Sequence, residues 1–147
     1  MEDWIILGII ASLCFGASAV VGKVALSKEY LGVPVGIAAV FSLIGIAVVF
    51  GMFYLIVPKV AEAPLTNLGI LAALGIGLLW ATGQVAIYYA LSKGAEVSRL
   101  TPIFNTNTLV AIFLAMILLH ELPNAGDAVR VVIGAIMIIT GAIMVII

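Results

Sequence analysis

The sequence predicts an all-α integral membrane protein with five transmembrane helices, and three observations carry that reading. First, 65% of its 147 residues are hydrophobic and only 9% are charged, with a mean hydropathy of +1.39. A soluble domain of this length needs far more polar surface. Second, the ionisable residues leave uncharged runs at 4–22, 30–58, 63–92, 100–119 and 131–147. Each is near or above the roughly 20 residues that a spanning helix requires. Third, these runs consume most of the chain and leave no room for a soluble domain. They place spans at about 4–26, 33–57, 65–91, 97–119 and 129–147, a single five-helix domain over residues 1–147.

Span one opens at Trp4, an interfacial anchor by residue type. Glu2 and Asp3 replace the basic start of a secretory leader, and the apolar run is too long for one, so this segment reads as a retained helix. Gly8, Ser12 and Gly16 recur every four residues, a pattern that lets another helix approach closely. Lys23 lies near the far end; snorkelling to the interface is the commoner role there, and burial the rarer one. Cys14 is the only cysteine, so no intrachain disulfide forms.

Span two is almost wholly aliphatic and reads as scaffold, with Ser42, Gly45, Ala47 and Gly51 as its small residues. Span three carries two patterns of period four. Gly69, Ala73, Gly77 and Ala81 form a small-residue ridge, and Trp80, Gln84 and Tyr88 form an aromatic-amide stripe. Gln84 is deep enough to need a partner, either a core hydrogen bond or a ligand. The short loop from Ser92 to Glu96 permits only a tight reversal.

Span four holds the densest polar cluster of the chain, with Ser98, Arg99, Thr101, Asn105, Thr106, Asn107 and Thr108 around Pro102. Each unsatisfied polar group in hydrocarbon costs several kcal/mol, so such a cluster faces protein or trapped water. Ser98, Thr101, Asn105 and Thr108 are three, four and three residues apart and would share one stripe of a continuous helix, a substrate-facing or partner-facing surface. Asn107 lies roughly 200° from Asn105 and is assigned to a neighbouring helix. Two readings of Pro102 stand. Either helix already runs through Ser98 and the proline kinks it, or Ser98 caps the helix and the proline sits in its tolerant first turns. His120 beside Glu121 at the span's end reads as structural, and in span five Gly134 and Gly141 share a packing face.

Several chemistries are missing. No HExxH pair, GxSxG elbow or phosphate-cradling GxxxxGKS/T loop occurs, so neither an enzyme nor ATP-driven transport by this chain is indicated, and no cofactor is implied. No carboxylate lies mid-span, which disfavours a proton-coupled carboxylate relay. With a net charge of −1 and no basic tract, nothing points to nucleic acid.

The run from Tyr88 through Leu91-Ser92-Lys93-Gly94-Ala95-Glu96 to Pro102 resembles the third-to-fourth helix junction of EamA-type members of the drug/metabolite transporter superfamily. Leu119-His120-Glu121 followed by Gly134 and Gly141 resembles that family's closing pattern, and Phe15-Gly16-Ala17-Ser18 through Lys23 its opening one. Two features depart from the family. No arginine lies between Lys28 and Lys59, and Thr108 stands where members often have a second proline. Typical members join two five-helix copies as inverted repeats, so the resemblance implies one half of a ten-helix transporter plan, completed by pairing into a homodimer for which an antiparallel arrangement is open. The loop charges fit that option: Lys23, Lys28, Lys93 and Arg99 fall on one side, Lys59 and Arg130 on the other, mildly favouring an external N-terminus.

The expectation is a multi-pass protein of the cell membrane, in contact with lipid, that transports a small polar or amphipathic metabolite as a secondary carrier or exporter. Its substrate-binding candidates are Ser98, Thr101, Asn105 and Thr108 of span four, Trp80, Gln84 and Tyr88 of span three, and Ser18 and Lys23 of span one. The competing expectation is a non-transporting scaffold or accessory subunit whose polar cluster is interhelical glue.

Overall fold

A computed structural model describes residues 3–56, 66–120 and 124–146, excepting the side chains of residues 3, 4, 125, 126 and 146. The Trp4 side chain, Lys59 and Glu121 therefore lie outside the described part. Among the described residues the chain is helical, without strands: α1 (Asp3–Leu26), α2 (Val35–Ile56), α3 (Asn67–Ser92), α4 (Val97–Phe104), α5 (Asn107–Leu118) and α6 (Ala125–Ile146). Five stretches are long and apolar enough to cross a membrane, α4 and α5 together making the fourth, Val97–Leu118. The all-α, five-span architecture expected from the sequence is the one observed. The chain divides into two compact units, Met1–Gly94 and Ala95–Ile147.

In the first unit α1, α2 and α3 pack on one another in all three pairings. The tightest point is where the end of α1 meets the end of α3. Leu91 is 1% exposed and Leu26 and Ser27 are 2% exposed. Gly22 makes this approach possible, because a Cβ there would lie 3.3 Å from Leu91 Cδ1. Between lipid-embedded helices such closeness is what stabilises association, since burial in a neighbour removes no apolar surface from water.

Ser27 also organises the turn into α2. Its carbonyl accepts from the Tyr30 and Gly32 amides, both at 3.0 Å, and its hydroxyl accepts from the Glu29 amide at 3.3 Å. Gly32 takes a left-handed φ of 59° there, which a side chain would resist. α3 starts at Thr66, whose hydroxyl accepts from the Gly69 amide at 3.1 Å, an ordinary N-cap. It ends at Lys93 and Gly94, the latter with φ 98° and its amide on the Leu91 carbonyl at 3.1 Å.

The second unit contains α4, α5 and α6, with α4 packed on α6. Glu96, not Ser98, is the N-cap of α4, and its side chain caps nothing; the carboxylate instead pairs with Arg99 Nε at 3.1 Å on an exposed surface. Pro102 therefore sits inside the helix, at its sixth residue, and cannot donate to the Ser98 carbonyl, so the reading that makes Ser98 the cap does not hold. Three residues later the α-helical bonding is interrupted, although Asn105 and Thr106 keep right-handed helical dihedrals. Across Asn105 and Thr106 the amides turn to carbonyls three residues back: Thr106 to Ile103 at 3.2 Å, Thr108 to Asn105 at 3.2 Å and Leu109 to Thr106 at 2.9 Å. The Thr106 hydroxyl adds a 2.7 Å bond to the Ile103 carbonyl, satisfying backbone that a lipid environment could not. Asn and Thr are poor helix formers because their side chains compete for the backbone, so a break at this polar tetrad follows from its composition. α5 ends in His120, whose φ of 56° puts it in the left-handed position normally given to Gly or Asn after a helix.

Candidate functional site

The polar residues singled out by the sequence occupy two places, one in each unit. In the second unit they gather at the α4–α5 break. Ser98 is exposed on α4, Asn105 is its exposed C-cap, and Thr108 is exposed in the first turn of α5. Thr101 is half-buried, and its hydroxyl oxygen is enclosed without a hydrogen-bond partner among the described residues. The interruption of α-helical bonding at Asn105 and Thr106 falls between the first three of these residues and Thr108, while both interrupting residues keep right-handed helical dihedrals. Asn107, assigned above to a neighbouring helix, instead accepts from the adjacent Thr108 hydroxyl at 3.4 Å.

In the first unit Trp80, Gln84 and Tyr88 share the expected stripe of α3. Trp80 is exposed, while Gln84 and Tyr88 are half-buried. Tyr88 is tied to α2: its hydroxyl lies 2.6 Å from Ser42 Oγ, a side-chain bond joining residues 46 apart. Ser42 carried no signal beyond its small size, and only the three-dimensional pairing reveals its role. Gln84, one turn earlier, has no hydrogen-bond partner among the described residues, so its amide is not consumed by a core bond.

The two α1 candidates are used locally. The Ser18 hydroxyl donates to the Phe15 carbonyl of its own helix at 2.9 Å. Lys23 is half-buried and reaches the Gly94 carbonyl at 3.2 Å, linking the end of α1 to the turn after α3. Its ammonium sits at the C-terminal ends of two helices, where the backbone dipoles favour a cation.

What these groups offer is neutral hydrogen-bonding chemistry. An amide both donates and accepts, and hydroxyls do likewise, so Gln84, Asn105, Ser98 and Thr108 offer hydrogen bonds to polar groups, while the hydroxyls would need an adjacent base to act as nucleophiles. No cluster of His, Cys, Asp and Glu able to hold a metal ion occurs among the described residues.

The comparisons agree with the picture of a helical membrane protein. No curated protein and no solved structure matches the chain. The family described as the EamA-like transporter family matches residues 3–147, nearly all of its length. With five spanning helices in the order its sequence foretold, this multi-pass membrane protein belongs to the EamA-like transporter family.

Proposed function

We propose that this membrane transporter is a secondary carrier or exporter of a small polar or amphipathic metabolite, acting in the cell membrane as a dimer of five-helix units. The observation that carries the reading is the interruption of a spanning helix at Asn105 and Thr106, flanked by uncharged polar groups and the Thr101 hydroxyl, which has no partner among the described residues. Irregular backbone at membrane depth is tolerated only where it is covered by protein or lines a water-filled cavity, and discontinuous helices frame the substrate sites of many secondary transporters. Substrate contact is assigned to Ser98, Thr101, Asn105 and Thr108 in the second unit, and to Trp80, Gln84 and Tyr88 in the first. Ser18 and Lys23 are the weaker members of the set, since both already hold backbone carbonyls.

The dimer is supported by unused packing surfaces. A Cβ at Gly8, Gly16, Gly77, Gly134 or Gly141 would meet no described heavy atom within 4 Å. Such glycine-bearing faces suit the close approach of another helix. The decisive experiment is substrate-dependent flux in proteoliposomes of the purified protein, screened over polar and amphipathic metabolites. Saturable flux that Asn105→Ala diminishes is expected; folded protein that carries none of them would return the chain to a scaffolding role.

A further inference from the structure

The end of the first unit formed by the α1–α2 turn and the close of α3 carries three lysines, Lys23, Lys28 and Lys93, against one carboxylate, Glu29. The fold brings them to one place. Lys23 holds the Gly94 carbonyl at 3.2 Å, which sets it beside the turn that contains Lys93. The α1–α2 turn that carries Lys28 is folded back on α1, with the Leu31 amide on the Val24 carbonyl at 3.2 Å and the Val33 amide on Ala25 at 2.8 Å. Beneath these charges lies the best-packed part of the unit, Leu26, Ser27 and Leu91. The platform is thus rigid rather than a loose collection of side chains.

Lys28 and Lys93 are exposed, and neither makes an ion pair among the described residues. The Lys93 ammonium rests 5.2 Å from the centre of the Tyr89 ring, and Tyr89 is itself exposed on a membrane-spanning helix. An aromatic at the headgroup level with a cation above it marks where the apolar span ends.

From this arrangement we propose that the lysine-bearing end of α1 and α3 binds the headgroup of an anionic phospholipid, with Lys28 and Lys93 as its principal contacts and Lys23, held on the Gly94 carbonyl, as a third positive charge. Basic surfaces at membrane-helix ends attract anionic headgroups, the attraction rising with each cation at the surface. Charge complementarity selects the occupant: the lipids are the neighbours of this end of the unit, and the surplus of positive charge there favours those that carry negative charge. The inference rests on the membrane location and not on transport, so it stands apart from the carrier reading.

The test uses the full chain in nanodiscs of phosphatidylcholine alone or mixed with phosphatidylglycerol. Native mass spectrometry reads retained lipid, and thermal unfolding reads stabilisation. Phosphatidylglycerol should be retained and should raise the unfolding temperature. Each of Lys28→Gln and Lys93→Gln should weaken retention roughly fivefold, with the pair compounding the loss, while Lys→Arg at both positions keeps it. Arg130→Gln, which removes the same charge from α6, should leave retention unchanged. Should the double variant fail to fold in phosphatidylcholine, the two single variants carry the comparison. Equal retention by the Lys→Gln variants, or an equal loss from Arg130→Gln, overturns the site. Equal stabilisation by inorganic phosphate in phosphatidylcholine discs overturns the lipid as its occupant.

Discussion

Ser42 and Tyr88 show how one hydrogen bond can hold two apolar helices in register. Hydrogen bonds between membrane helices contribute about 0.6 kcal/mol on average, since the unfolded chain in lipid also finds partners. Ser42→Ala and Tyr88→Phe should therefore each destabilise by about 0.6–1.7 kcal/mol, the upper end applying to a bond as short as 2.6 Å. A double-mutant cycle by chemical unfolding checks this: independent, additive losses would show that the pair contributes nothing together. Gly94 is a second residue on which much depends. Its φ of 98° is costly for any L-residue, so Gly94→Ala should destabilise by roughly 1–2 kcal/mol and disturb the carbonyl that Lys23 holds. Asn105→Ala belongs to another class. Loss of a recognition amide should lower flux several-fold with little change in folded yield, whereas loss of yield at unchanged flux per folded molecule would mark Asn105 as packing.

At the scale of elements, the α4–α5 break is the feature with the most consequence. Pro102 removes one helix bond and the polar tetrad after it supplies the alternative partners, so two causes act together. Pro102→Ala restores the donor to the Ser98 carbonyl and should raise stability by about 1–3 kcal/mol while slowing transport, if the break is part of the working cycle. Unfolding midpoints and proteoliposome flux measured on the same preparation separate the two effects; faster transport from the straightened helix would contradict the role assigned to the break. The α1–α3 contact is the opposite kind of element, closed where α4–α5 is open. Gly22→Val must displace Leu91, and overpacking of this sort costs roughly 1–3 kcal/mol.

For the whole molecule, five crossings put residues before α1 and after α6 on opposite faces of the membrane. Reporter fusions at both ends should give opposite signals, and matching signals would refute the span count. The weak charge bias leaves insertion responsive to small changes. If the dimer is antiparallel, adding lysines to lock one orientation should abolish flux, and coexpression of the oppositely locked variant should restore it. Full flux from a single locked orientation would exclude the antiparallel form. Gly77→Leu and Gly141→Leu should shift dimer towards monomer wherever those faces meet the partner, as read by crosslinking in nanodiscs.

Composition and the spacing of charges determined the membrane class and the number of spans, because a bilayer leaves a long apolar run little choice but to form a helix that satisfies its own backbone. The motifs around Tyr88–Pro102 and Leu119–Gly141 pointed to the family for a related reason: helix ends and close contacts demand particular residues. Tertiary structure decided what side chains do once the helices stand. Whether Pro102 fell in the first turn or deeper in its helix depended on where the cap lay, and the cap proved to be Glu96. Ser42 looked like filler until α3 brought Tyr88 to it. Nothing along the chain told that Lys23 would meet a carbonyl in the turn after α3. Spacing along a chain gives the face of an ideal helix. It contains neither the partner across the gap nor the point at which backbone bonds change register, since both are set by competition among neighbours that only the folded chain assembles.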